Sequence, residues 1–220
     1  MAQIRGKIDR YAADANRDGG AIRLLAVGKR HPAEKLRALA AAGQVDFGEN
    51  YLSEAIEKQA QLTDLRLCWH FIGSIQSNKT RQIATHFDWV HTVDRLKIAN
   101  RLNEQRSVHR APLNVCLQVN IDQEPSKSGL SPPDVSALAE AIVNMPGLRL
   151  RGLMAIPAPR SGTDEQREPV RRMRSLMQKL RSQGIDVDTL SMGMSNDLEA
   201  AIAEGANLVR IGTALFGPRP

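Results

Sequence analysis

Apolar residues along the chain fall into two alternating patterns. Short runs bounded by glycine, proline or polar turn residues read as strands, covering 22–29, 46–50, 68–72, 89–92, 113–121, 148–156, 189–192 and 208–211. Between them, "PAEKLRALAAAG", "YLSEAIEKQAQL", "NKTRQIATHF", "DRLKIANRLNEQR", "SPPDVSALAEAIVNMPG" and "REPVRRMRSLMQKLRSQG" carry the helical period. In the last of these, Val170, Met173, Leu176, Met177 and Leu180 share one face, which reads as a core stripe rather than a partner groove. Another helical stretch precedes the first strand.

Strands separated by helices imply parallel pairing and right-handed crossovers. The sheet could close in two ways, as an open doubly wound sheet or as a (β/α)8 barrel. The count of strands, their even spacing and the lack of an early glycine-rich fingerprint favour the barrel. No linker rich in Pro, Gly or Ser interrupts the alternation. The expectation is therefore an α/β chain with one domain over 1–220, a TIM-type barrel preceded by an extra N-terminal helix. The longest irregular piece, "PAPRSGTDEQREP", is a candidate lid.

In such a barrel, chemistry gathers where the strands end on their carboxyl side. The residues predicted there are Lys29; Glu49 and Asn50; Gly73 and Ser74; Asp94; Asn120 and Asp122; Met154 and Pro157; 193–195; and Gly212 with Thr213. The last two ends, in "SMGMSNDLEAAIAEG" and "VRIGTALFG", place glycine and hydroxyl residues before short helices, a common arrangement for phosphate. The plainer alternative is ordinary capping, with Ser195 as an N-cap and a helix beginning near Asn196. A closed barrel would make Lys29 a neighbour of these loops. An amine beside a phosphate site suggests an imine with a phosphorylated aldehyde. An unreactive lysine at a strand edge is the alternative.

Composition narrows the partners. Hydrophobic residues make up 42% of the 220, enough for a full core, and the formal net charge of +6 suits anionic small molecules. Arg160, Arg167, Arg171, Arg172, Arg174, Lys179 and Arg181 form the densest basic stretch. It lacks interleaved aromatics, so it reads as a solvated helix face and not a nucleic-acid surface. Cys68 and Cys116 both lie in apolar runs and read as reduced thiols. No secretory core or membrane-length apolar run is present. A cytoplasmic protein is expected. Cys68, His70, His86 and His91 match no standard zinc spacing, so packing is preferred and no metal site is assigned. Glu199 and Glu204 read as solvated.

Eight segments carry a resemblance: "LLAVGKRHP", "FGENY", "WHFIGSIQSNK", "VHTVDRLKIANRLN", "VNIDQEPSKSG", "RLRGLMAI", "SMGMSNDLEAAI" and "VRIGTALFG". In this order, over 22–217, they strongly resemble the pyridoxal phosphate homeostasis proteins, which are similar to the barrel domain of alanine racemase without its second domain (fold type III among pyridoxal phosphate proteins). The resemblance implies pyridoxal 5'-phosphate as cofactor, with Lys29 in the internal aldimine. It places Asn50 and Met154 near the cofactor, Ser195, Gly212 and Thr213 on the phosphate, and Arg210 facing the pyridine nitrogen. An arginine there cannot accept a proton and leaves the ring a poor electron sink. Lys127, in "DQEPSKSGL", is a candidate for a secondary contact. The chain departs from the family pattern of serine, lysine, threonine, lysine, proline, reading Gly28, Lys29, Arg30, His31, Pro32, and its tail ends early as "GPRP".

The resemblance implies a monomeric protein that stores, buffers or delivers the cofactor, with no catalytic residue, apo-enzymes as candidate partners, and no nucleic-acid or membrane partner. Two alternatives stay open: an amino-acid racemase using the same aldimine, or a Schiff-base aldolase or phosphate-binding isomerase on a similar barrel. The racemase needs acid/base groups on both faces of the cofactor, and the only tyrosines are Tyr11 and Tyr51.

Overall fold

A computed structural model describes residues 1–218; the last two residues of "GPRP" lie outside the described residues. Chain order is α1 (Ala2–Asp14), β1 (Arg23–Val27), α2 (Ala33–Ala41), β2 (Asp46–Glu49), α3 (Leu52–Gln61), β3 (Cys68–Phe71), α4 (Thr80–His86), β4 (Trp89–Val93), α5 (Leu96–Gln105), β5 (Leu113–Gln118), α6 (Val135–Val143), β6 (Leu148–Met154), α7 (Thr163–Ser182), β7 (Thr189–Ser191), α8 (Leu198–Ala203), β8 (Leu208–Ile211) and α9 (Thr213–Phe216). The strands are buried on both faces, which is why they read as continuous apolar runs.

Each strand pairs in parallel with the next, and β1 closes on β8 through the register Arg23↔Leu208 to Ala26↔Ile211. The expected eight-stranded barrel is therefore the observed one, and the open sheet is excluded. The N-terminal helix is also present. Ile4, Ile8 and Ala12 of α1 recur one turn apart and pack on the outer faces of β1 and β8 with Leu198 and Ile202 of α8. Arg17 then ties the end of α1 to the carbonyls of Ile202 and Ala206. A larger core lies between the other strands and helices, and the Val170, Met173, Met177 and Leu180 stripe of α7 belongs to it.

Two expectations change. The ladders stop short of the predicted strand ends: β1 ends at Val27, β5 at Gln118 and β6 at Met154. Of the apolar residues beyond those points, Ile156 lines the barrel mouth, while Val119, Ile121 and Ala155 join the core. The candidate lid is mostly helix, because α7 begins at Thr163 and accommodates Pro169 within it. The short loop before it is tethered. Asp122 accepts both guanidinium arms of Arg160, at 2.7 and 3.2 Å, and the amide of Ala158 at 2.7 Å.

The basic stretch is largely paired within the chain. Arg171 and Arg174 both reach Glu204, which is buried and not solvated as its sequence suggests. Among the described residues no helix is long and apolar enough to cross a membrane.

The β6–β7 seam leaves no room for a side chain at Gly152. Its φ is +152°, and a Cβ there would sit 1.9 Å from the carbonyl oxygen of Thr189. Gly152→Ala must push the two strands apart, so urea denaturation should show a loss of about 1–3 kcal/mol or more.

Candidate functional site

Lys29 lies two residues beyond β1, on the loop leading to α2, and its loop is held from several sides. The amide of Gly28 donates to Gly48 O at 3.0 Å and continues the β1–β2 ladder by one bond. Lys58 Nζ, from α3, donates to Gly28 O at 2.7 Å. The amide of Arg30, a residue at φ +61°, donates to Glu54 Oε1 at 2.5 Å. His31 stacks on Phe216 of α9 at 5.0 Å between centroids, and Lys35 Nζ donates to Phe216 O at 2.9 Å. The loop therefore bridges the first and last βα units.

Behind this loop is a buried ion cluster. Lys58 Nζ also donates to Glu49 Oε1 at 2.7 Å and to Glu54 Oε1 at 2.6 Å. Burial pushes the Glu49 carboxyl up to about 7, although the Lys58 charge opposes it. A Cβ on residue 28 would lie 2.7 Å from Glu49 Oε1, so the glycine makes room for this pair. That gives a physical reason for one of the three departures around the lysine, and the stacking of His31 on Phe216 gives one for a second.

A cavity of about 550 Å³ opens at the carboxyl ends of the strands. Lys29, Asn50, Met154, Ser195, Arg210, Gly212 and Thr213 all line it, so the barrel brings together the seven residues that the resemblance placed around the cofactor, whereas other strand-end residues such as Asp94 and Asn120 stay outside it. Val27, Ile72, Ile156 and Met194 supply its apolar wall. Met194 lies within the predicted 193–195 strand end, but sequence reasoning missed Val27, Ile72 and Ile156. The signal was available for Val27, which shares a strand face with Lys29 by two-residue alternation.

Polar groups in the cavity fall into distinct parts. At the last two loops, no described protein group accepts the backbone N–H of Ser195, Asn196 or Gly212. The Ser195 and Thr213 hydroxyls stand beside them at the exposed mouth. Ser195 is not a cap: Asp197 is the N-cap residue of α8, and its Oδ1 accepts the amide of Met194 at 2.7 Å. These donors suit an anion.

Deeper in, Arg210 is buried. It donates from Nη1 to Ser191 O at 2.5 Å and Ser191 Oγ at 2.8 Å, and from Nη2 to Ala155 O at 2.9 Å. Burial lowers its pKa to about 10, so it stays charged at neutral pH. Asn50 Oδ1 is buried with no hydrogen-bond partner, a group that a polar ligand would satisfy. The cavity thus offers anion donors, an amine, an apolar wall and a fixed guanidinium. A phosphorylated aromatic aldehyde needs that set.

Other sequence candidates lie elsewhere. Lys127 pairs with Glu124 at 2.7 Å and is not among the cavity-lining residues. His86 faces Gln59 at 3.1 Å, away from His70 and His91, which meet at 2.9 Å. Asp46, Cys68 and His70 bring donor atoms within 4.8 Å of one another at the opposite end of the barrel. Asp46 there is engaged by both His70 and Arg23.

Comparison with known proteins gives a consistent set of relatives. The family described as "Alanine racemase, N-terminal domain" matches residues 4–220. The pyridoxal phosphate homeostasis protein of Pseudomonas aeruginosa is 59% identical over 219 residues, spanning 100% of this chain and 94% of its own. That of Escherichia coli is 50% identical over 222 residues, spanning 100% and 95%. PipY of Synechococcus elongatus, solved with pyridoxal phosphate bound, superposes with TM-score 0.85 at 39% identity, covering 96% of this chain and 99% of that one. Alanine racemase of Clostridium difficile shares the fold alone, at TM-score 0.75 and 16% identity over 57% of its length.

Removing Lys58 should leave two carboxylates facing each other behind the lysine loop. Lys58→Met is expected to cost about 3–5 kcal/mol at pH 8, the usual cost of leaving one buried charge unpaired. With Lys58 gone, the Glu49 pKa rises further above its unfolded value. The protonated side chain then favours the fold at low pH, and that contribution is lost as pH rises through 7 and beyond. The deficit should therefore shrink at pH 5, and adding Glu49→Gln should restore part of it at pH 8. Chemical denaturation of the unaltered protein and the two variants at both pH values checks this.

Proposed function

The chain belongs to the family of pyridoxal phosphate homeostasis proteins, and on that premise we propose that it holds pyridoxal 5'-phosphate in the cavity as a Schiff base on Lys29 and stores, buffers or delivers it. One observation carries the reading: an amine, unpaired backbone donors and a buried guanidinium line a single cavity. In this reading Ser195, Gly212 and Thr213 take the phosphate, Arg210 faces the ring nitrogen, and Asn50 and Met154 flank the ring. The Lys29 amine adds to the aldehyde carbon and water leaves, so the protein keeps the cofactor without consuming it. The bound cofactor would supply a masked aldehyde that an incoming amine can displace.

The same residues argue against strong turnover. Racemisation needs an electron sink and a proton donor on each face. Arg210 keeps a proton that the ring nitrogen would need, and Tyr51 lines the neighbouring 310 Å³ cavity instead of this one. An amino-acid racemase remains the second reading, favoured only by the shared barrel. The protein acts as a monomer in the cytoplasm, where apo-enzymes that need the cofactor are its candidate partners; the two free thiols suit that compartment.

Three measurements test this. Absorbance of the bound cofactor should vanish in Lys29→Ala, and borohydride reduction followed by peptide mapping should label Lys29; label on a different lysine would overturn the assignment. Ser195→Ala and Thr213→Ala should each weaken retention roughly ten- to a hundredfold, the effect of losing a hydrogen bond to an anion, and pyridoxal without phosphate should bind poorly. In heavy water the purified protein should change its spectrum with alanine without sustained α-deuterium exchange. Exchange at an enzyme-like rate that depends on Lys29 would establish the racemase instead.

A further inference from the structure

Beneath Arg210 the barrel interior carries a continuous line of polar side chains. Arg210 Nη1 donates to Ser191 Oγ at 2.8 Å, and Ser191 Oγ lies 3.0 Å from His91 Nδ1. His91 Nε2 is 2.9 Å from His70 Nδ1, and His70 Nε2 is 2.9 Å from Asp46 Oδ1. These residues come from β8, β7, β4, β3 and β2, and the line runs from the cavity to the opposite end of the barrel. Both histidines and Ser191 are fully buried.

The direction of every bond follows from its ends. Burial raises the Asp46 carboxyl, but the His70 hydrogen bond and the charge and hydrogen bond of Arg23 oppose it and hold the group below the usual carboxylate range. Asp46 is therefore ionised and can only accept, so His70 Nε2 carries a proton. Burial lowers the pKa of both rings and keeps them neutral. A neutral imidazole has one N–H, so His70 Nδ1 must accept from His91 Nε2–H. His91 Nδ1 must then accept the Ser191 hydroxyl proton. With that proton committed, Ser191 Oγ can meet Arg210 only as an acceptor. Cys68 Sγ, 3.4 Å from His70 Nε2, is a secondary acceptor of the same proton.

A guanidinium has five N–H groups, and protein oxygens take three of those on Arg210, which leaves two. We propose that His91 and His70 are positioning residues of the cavity: as neutral Nε2–H tautomers they hold Ser191 as a one-way acceptor, fix the guanidinium of Arg210 at the cavity wall, and link its contact with the bound ring to the Asp46 carboxylate at the far end of the barrel. The inference rests on the reading of the cavity as a pyridoxal phosphate site. An apolar interior would pack equally well. A fully satisfied polar chain adds one orientation for the donor at its end.

The first test needs neither cofactor nor variant. Long-range proton–nitrogen NMR correlations on the histidine-labelled protein at pH 7 should show His70 and His91 as neutral rings protonated at Nε2. Either ring charged, or protonated at Nδ1, overturns the chain. The second test uses the cofactor-loaded protein. Ser191→Ala and His91→Leu should keep borohydride labelling at Lys29 but shift the absorbance band and raise the dissociation constant about tenfold, as expected for a disturbed hydrogen bond from a charged group. His91→Asn, whose amide oxygen can still accept the Ser191 proton, should restore the band. An unchanged band and affinity in folded Ser191→Ala and His91→Leu sink the positioning role. Failure to label Lys29 in the unaltered protein sinks the cofactor reading instead, and the tautomer result stands apart from it.

Discussion

Barrel closure through β1 and β8 is the constraint on which the site depends. The register from Arg23↔Leu208 to Ala26↔Ile211 sets the end of the first strand beside the end of the last. Lys29 and Thr213 are far apart in sequence, yet that pairing places them in one cavity. The outer face of the same seam is sealed by Ile4 and Ile8 of α1, so the extra helix supports the site from behind. Phe216, just beyond β8, stacks on His31, just beyond Lys29, and fastens the two loops across the seam.

Inside the barrel, polar groups are abundant and almost all satisfied. At the end remote from the cavity, Arg23 and Arg151 lie over the Trp89 ring at 4.8 and 4.7 Å, and Arg23 also pairs with Asp46. From Asp46 the hydrogen bonds run through two imidazoles and a serine to Arg210. A buried polar group without a partner costs free energy comparable to a lost hydrogen bond. The chain avoids that by matching each donor to one acceptor. The cavity is different: among the described residues, backbone N–H groups at its mouth and the buried Asn50 Oδ1 have no protein partner. That contrast separates the scaffold from the surface meant for a ligand.

Between the end of β2 and α3, the Glu49–Lys58–Glu54 cluster does for the lysine loop what the histidine chain does for Arg210. Both devices hold a cavity-lining side chain through neighbours that do not themselves line the cavity, since neither Lys58 nor His91 does so. Lys58 anchors the Gly28 carbonyl and Glu54 anchors the Arg30 amide, so Lys29 hangs between two restrained peptides. The glycine in front of the lysine is part of this arrangement, because a side chain there would strike Glu49.

Local periodicity sufficed to predict the alternation of strands and helices and the extra helix, and the count and spacing of the strands favoured the barrel over an open sheet, although several strands end earlier than their apolar runs. Side-chain period in strands and helices is a property of neighbouring residues, and closure then carries those ends to a common face. Lys29, Asn50, Met154, Ser195, Gly212 and Thr213 were legible as strand-end residues for that reason, whereas Arg210, inside β8, was singled out only through the family resemblance. The pairing of buried polar groups was not. Glu204 looked solvated until Arg171 and Arg174 of α7 packed over it, and His91 meets Ser191 across 100 residues of chain. Which polar side chains face each other inside a barrel depends on the stagger of all eight strands at once. Only the closed tertiary structure sets that stagger, and with it the charge state and tautomer of each buried group.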